Sequence, residues 1–499
     1  LPGIAAIFLK AHSLRCGSGL PAGVRSADTI ATVDRDTPVM PEEPSQNWSP
    51  ESWRSKLHAQ QIVYADRPGV ERAVAVLRSL PPLVTSWEIE KLKSLIAEAQ
   101  EGKRFLLQGG DCAEQLADCR PESVTAKLKI LLQMSVVLIH GSKRPVIRLG
   151  RFAGQYAKPR SSPTETRRVD GQDVTLPSYY GDLVNAPGFD AASRTPDPRR
   201  LVEGYMHAGL TLNFIRSLLD GGFADLHHPE YWELGFMRHA GLPGDLRDEY
   251  HQMTERLADG LRFMEAIGEK SIEDLTRVEF FTSHEGLNLL YESAQTRQVP
   301  RREGWFNLST HLPWIGERTR AIDGAHVEYF RGIRNPVGVK IGAAMKGDDL
   351  LRLLDVLDPG NEPGKIVLIT RMGVANVRSA LPPLVECVQR AGRRVLWVCD
   401  PMHGNPVTTS TGTKTRSFDQ IAQELELCWA VHKEAGGRLG GVHLEMTGED
   451  VTECVGGRGG NGVTEADLTR NFASPCDPRL NYEQSMELAF LLARRMGER

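Results

Sequence analysis

The chain has 499 residues, a formal net charge of -4 and a sequence pI near 6.4. A near-neutral surface argues against a nucleic-acid binder working by bulk electrostatics, and no run of 18 apolar residues offers a membrane span. Eight cysteines without CxxC or finger spacing read as thiols of a reducing, cytoplasmic compartment rather than a disulfide frame.

Residues 1–39 start at Leu1, contain no Met, carry Lys10, Arg15 and Arg25, and hold no acid before Asp28. Organelle-targeting peptides are basic and acid-poor in this way, which makes plastid or other organelle import one reading. The other is an over-extended start, with Met40 as the first residue. Residues 1–46 are set aside as a disordered leader.

From Asn47 to Gln100 the pattern is helical, with a break at Pro81-Pro82 and a second amphipathic run from Trp87 to Ala99. These residues, 47–100, form an N-terminal helical extension. RFLLQGGDCAEQ then gives a strand from Phe105 to Gln108, a glycine turn, and Cys112 at its end. A helix over Ser123 to Ile139 follows. PVIRLGRFAGQYAKPRSS gives a strand from Val146 to Leu149 that runs out into Arg151, Lys158, Arg160 and Ser161. Such a set of cations, glycines and serines can bind an anion, since Arg presents paired donors and loop N–H groups add to them.

Residues 162–278 are long for a connection and read as an insertion with helices over the barrel mouth. Strands resume at Phe280 to Ser283 (then His284 and Glu285) and Phe306 to Thr310 (then His311, Glu317 and Arg318). Further strands are Val337 to Ile341, containing Lys340, and Ile366 to Thr370, ending in Arg371. The last two are Val395 to Cys399, followed by Asp400 and His403, and Val442 to Leu444, ending in Glu445. Helices are expected at Val374 to Arg390, Ser417 to Glu434 and Tyr482 to Met496. Eight strands separated by helix-length segments predict an α/β fold, a (β/α)8 TIM barrel occupying residues 101–499, with its site at the strand C-termini.

That geometry makes one mouth of scattered residues. Cys112, His403, Glu445 and, beyond the last strand, Asp477 offer a thiolate, an imidazole and two carboxylates, a set suited to a divalent transition metal such as manganese, cobalt, iron or zinc. Arg151, Arg160, Arg318, Lys340 and Arg371 form a cation group that calls for highly charged substrates. Any one of these side chains could be merely packed or solvated; their shared rim is the argument.

With these residues laid out, the chain resembles class II 3-deoxy-D-arabino-heptulosonate 7-phosphate (DAHP) synthases. The likeness rests on LLQGGDCAE, GRFAGQYAKPRS, YYGDLVN, TSHEGLNLLYE, STHLPWIGERTR, DGAHVEYFRGIRNPVGVKIG, KIVLITRMG, VLWVCDPMHGN and GGVHLEMTGEDVTECVGG, and spans the chain from about Trp48 onward. It implies condensation of phosphoenolpyruvate with D-erythrose 4-phosphate, the first step of the shikimate pathway. It also implies metal ligation by Cys112, His403, Glu445 and Asp477, with Mn2+ or Co2+ the expected ion. Phosphoenolpyruvate contacts map onto Arg151, Glu317, Arg318, Lys340 and Arg371, and the erythrose phosphate contact onto Lys158 to Ser161. Lys340, Arg371 and His403 are the expected catalytic side chains. Aromatic amino acids as effectors and a homodimer or homotetramer are expected too. The alternatives are another metal-dependent aldolase or phosphosugar enzyme on the same barrel and a non-catalytic amino-acid-sensing paralogue. A Cys112–Cys476 disulfide is expected in oxidised, metal-free protein if both thiols face the site.

Overall fold

The computed structural model describes residues 48–223, 244–266, 278–410, 412–457 and 462–497. The leader assigned to 1–46 and parts of the 162–278 insertion lie outside them. Eight parallel strands close into a barrel in chain order: β1 (Phe105–Gly110), β2 (Val146–Arg151), β3 (Phe281–Glu285), β4 (Leu312–Ile315), β5 (Val337–Gly342), β6 (Ile366–Arg371), β7 (Val395–Cys399) and β8 (Leu439–Glu445). Nearly every strand residue is buried, as expected for strands covered on both faces by crossover helices. Inward side chains, among them Leu106, Leu149, Phe281, Trp314, Ile369 and Val398, fill the barrel as one apolar cluster.

Two helices precede β1. Helix α1 (Arg67–Ser79) starts at Asp66, whose carboxylate accepts from the Gly69 N–H. Helix α2 (Ser86–Gln100) starts with a reciprocal Thr85–Glu88 capping box. Its Leu92, Leu95, Ile96 and Ala99 join the barrel-interior cluster, so α2 plugs the N-terminal end and leaves the opposite mouth for chemistry.

Helix α3 (Pro121–Ser142) follows β1. Though no apolar run of 18 residues was expected, α3 has the length and hydropathy to cross a bilayer; two-thirds of that window is buried inside the fold. It packs on the C-terminal helix and against β1 and β2, which explains its apolar character without a membrane.

The segment between β2 and β3 does not simply cover the mouth, as its sequence suggested. Its first part includes a hairpin of Thr164–Val169 with Gln172–Pro177, whose Glu165 pairs at 2.9 Å with Arg160 of the cavity lining. Helices α4 (Arg199–Asp220) and α5 (Gly244–Ala266) instead pack against α3 on the outer wall. The fourth strand also differs: Phe306 and Asn307 pair antiparallel with Thr296 and Arg297, and the barrel strand is Leu312–Ile315, bonded to its neighbours from Ser283 to Val339. That shift moves Glu317 and Arg318 to just past the true strand end. Helices α6 (Gly347–Leu357), α7 (Val377–Arg390), α8 (Phe418–Glu434) and α9 (Tyr482–Gly497) complete the outer layer.

Candidate active site

Strand register sets the site. Gly110 lies level with Arg151 on one side and Glu445 on the other, and Arg371 lies level with Gly342. Residues at or just beyond these positions therefore share the C-terminal mouth. The Cys112 Sγ and one carboxylate oxygen each of Glu445 and Asp477 lie within 4.8 Å of one another, and the His403 Nε2 is 2.9 Å from Glu445 Oε1. The four expected metal ligands thus converge from the ends of β1, β7 and β8 and from the loop after β8.

Their surroundings suit a cation. Asp400 takes His403 Nδ1 at 2.8 Å, which leaves Nε2 as the nitrogen turned toward Glu445, a carboxylate–imidazole arrangement typical of metal sites. Glu445 and Asp477 are held well below the usual carboxylate range by the surrounding His403, Lys158 and Arg416 charges, which outweigh burial. A soft thiol, an imidazole and two ionised carboxylates fit a borderline divalent ion. Lys158 reports the same demand for positive charge: its Nζ lies 2.5 Å from both Cys112 Sγ and Asp477 Oδ2 and 3.7 Å from Glu445 Oε1. It therefore sits against the ligand set, while Arg160 and Ser161 from the same run line the outer cavity.

The adjoining cavity is about 300 Å³ and is lined by Lys158, Arg160, Ser161, Glu317, Arg318, Lys340, Arg371 and His403, among others. Arg371 donates to Glu317 and, at 2.5 Å, to the His403 carbonyl. Arg318 is exposed and has no ion-pair partner among the described residues. Arg151 is deeper than expected, buried at the floor, where it donates to Glu445 at 3.0 Å and meets His443 Nε2 at 2.6 Å. Lys340 contacts Asp400 and lies 5.9 Å over the Trp314 ring. Its pKa falls to about 8, chiefly through burial; Asp400 opposes the shift, and the neighbouring Arg151 and Arg371 only assist it.

Several residues that shape the site had escaped notice. Glu424 on α8 accepts from the Met372 and Gly373 N–H groups at 3.0 and 2.9 Å and from Asn405 Nδ2 at 2.5 Å, tying the Arg371 loop to the His403 loop. It stands near Cys399 and Cys428 as a second metal-like group, but its oxygens are already committed to these donors. Glu114 accepts from the Ala153 and Gly154 N–H groups, both at 3.0 Å, behind Arg151. Glu453 accepts from Ala473, Ser474 and Arg479 N–H groups around Asp477. A carboxylate taking paired backbone donors fixes a loop as a cap fixes a helix end.

The closed barrel and its charged mouth define a (β/α)8-barrel enzyme. The chain belongs to the class-II DAHP synthetase family, which it matches over residues 48–493. It is 48% identical over 462 residues to the phospho-2-dehydro-3-deoxyheptonate aldolase of Neurospora crassa, covering 89% of this chain and 94% of the relative. Proteins of the same name from Streptomyces coelicolor and Mycolicibacterium smegmatis are each 45% identical, over 89% and 84% of this chain and 96% and 88% of their own lengths.

Proposed function

We propose that this chain is a DAHP synthase, a transferase that condenses phosphoenolpyruvate with D-erythrose 4-phosphate and water to give DAHP and phosphate, opening the shikimate route to aromatic amino acids. One observation carries the reading: the donors of Cys112, His403, Glu445 and Asp477 meet beside a cavity that presents Arg160, Arg318, Lys340 and Arg371. Two phosphorylated substrates need that density of positive charge, and a barrel mouth concentrates it.

Manganese or cobalt held by those four side chains would supply Lewis-acid polarisation of the aldehyde oxygen. The protein's own groups do the rest. Arg318, Lys340 and Arg371 hold phosphoenolpyruvate with its C3 toward the aldehyde; Arg160 and Ser161 hold the tetrose phosphate. Orientation of this kind can lower a bimolecular barrier by roughly 7–11 kcal/mol. Glu317 is braced by Arg371 and by Arg320 at 3.7 Å, so its carboxylate fixes the direction of the Arg371 guanidinium.

The enol pair forms the C3–aldehyde bond, and the former aldehyde oxygen takes a proton from the Lys340 ammonium. Water adds to the electron-poor C2 and returns a proton to Lys340. The resulting hemiketal phosphate breaks its C2–O(phosphate) bond while the C2 hydroxyl gives its proton to the departing phosphate, leaving the C2 ketone of DAHP and free phosphate. A lysine near pKa 8 can do both steps close to neutral pH. Phosphate release that requires both substrates, with DAHP identified by mass, tests the assignment; release from phosphoenolpyruvate alone contradicts it. The pathway makes aromatic amino acids the expected effectors, and a cytoplasmic homodimer or homotetramer is the expected form.

A further inference from the structure

Arg416 follows a short hairpin, Val407–Thr408 with Lys414–Thr415, and leads into α8. Its main chain lies along the segment beyond β8. The Arg416 carbonyl accepts from the Val455 N–H at 2.8 Å, the Phe418 N–H donates to the Val455 carbonyl at 2.9 Å, and Thr415 Oγ1 donates to the Glu453 carbonyl at 2.7 Å. The residue is only 2% exposed, and a charge that deep is costly unless it is well paired. Its Nη1 donates to Glu445 Oε2 at 2.7 Å and to the Pro478 carbonyl. Among the described residues these are its side-chain hydrogen bonds, and each reaches an expected metal ligand or the residue next to one.

The two oxygens of Glu445 are used differently. Oε1 faces His403 Nε2 at 2.9 Å, Arg151 at 3.0 Å and Lys158 at 3.7 Å, whereas Oε2 pairs, among the described residues, with Arg416 alone. The last torsion of a glutamate is broad and roughly two-fold, so a donor fixed on one oxygen decides which oxygen is offered to the other ligands. Charge balance would be served by Arg151 and Lys158 on Oε1; Arg416 takes the far oxygen instead. Resting on the metal-site reading above, we propose that Arg416 is a positioning residue for the metal centre, holding Glu445 by Oε2 so that Oε1 is presented to the ion and tying the Asp477 loop to the same carboxylate through the Pro478 carbonyl.

The test compares full-length wild type, Arg416→Lys and Arg416→Met, each stripped of metal. It reads the Kd for Mn2+ by competition with a chromophoric chelator, and the visible absorption of the Co2+-loaded protein, whose bands follow coordination number and geometry. Arg416→Met, which keeps length without donors, should weaken Mn2+ binding by about 10- to 100-fold and alter the cobalt bands. Arg416→Lys keeps the charge but loses the planar fork, so its affinity should fall between the two and its cobalt bands should shift as well. A merely structural ion pair would lower the melting temperature of the metal-free variants and leave both readouts at wild-type values, which would overturn the proposal. Should Arg416→Met fail to fold, Arg416→Lys decides: Mn2+ affinity within about 3-fold of wild type, less than the loss of a supporting partner costs, with unchanged cobalt bands, also overturns it. A wild type that takes up neither ion defeats the underlying metal-site reading instead.

Discussion

Arg371 shows how a single side chain joins the two halves of the site. One guanidinium nitrogen contacts Glu317 and the other donates to the His403 carbonyl, so the group proposed to grip phosphate also braces the loop that carries an expected metal ligand. Arg371→Ala should lower kcat/KM by at least about 1,000-fold with an unchanged far-ultraviolet circular dichroism spectrum; near-normal turnover would remove the clamp. Lys340 gives a pH prediction. Its ammonium must be present at the first proton transfer and its pKa is lowered to about 8, so kcat should fall as pH rises through about 8, and a profile flat to pH 10 would rule out that role. The thiols make a third. Cys112 Sγ and Cys476 Sγ lie 2.8 Å apart, so oxidation after chelation should link them, seen as a loss of two free thiols and a cross-linked peptide pair by mass spectrometry. Two intact thiols would dispose of the disulfide.

At the scale of elements, the site depends on carboxylates that hold loops rather than substrates. Glu424 reaches from α8 to the backbone of the β6 loop and to Asn405 of the β7 loop. There the chains approach so closely that a Cβ on Gly404 would lie 2.2 Å from the Gly373 nitrogen. Glu424→Ala removes acceptors for three donors, and we expect the KM for phosphoenolpyruvate to rise by about 10-fold or more and metal affinity to weaken with it. A change in thermal stability alone, with both constants unmoved, would make Glu424 purely structural.

Such struts could not be read from the chain. Glu424 sits in QELEL on an amphipathic helix, where it looks like any solvated acid, and its partners Asn405, Gly373 and Met372 lie 19, 51 and 52 residues upstream. The strands were legible because Val, Ile and Leu runs buried on both faces have few other interpretations, and the metal and phosphate residues because they stand next to those runs. The fourth strand misled for the converse reason. WFNLST has the stronger β pattern, but it forms a small hairpin, and LPWI, interrupted by Pro313, is the segment that fills the barrel.

For the molecule as a whole, the architecture separates stability from chemistry. Helix α2 closes the N-terminal end with Leu92, Leu95, Ile96 and Ala99, and the interior apolar layers fill the barrel up to Trp314. Above that level nearly every inward group is charged or hydrogen-bonded, with Arg151 and His443 forming the floor. Loops following β2, β4, β7 and β8, the end residues Glu285 of β3 and Arg371 of β6, and Lys340 inside β5 line one cavity, and residues 112 and 477 meet beside it although the whole barrel lies between them in sequence. Both the architecture and the proposed chemistry require Cys112, His403, Glu445 and Asp477 to bind one ion. X-ray absorption spectroscopy of the manganese- or cobalt-loaded enzyme tests it most directly. A single sulfur scatterer that disappears in Cys112→Ser is the predicted result; a shell of oxygen and nitrogen alone, unchanged by that substitution, would contradict it.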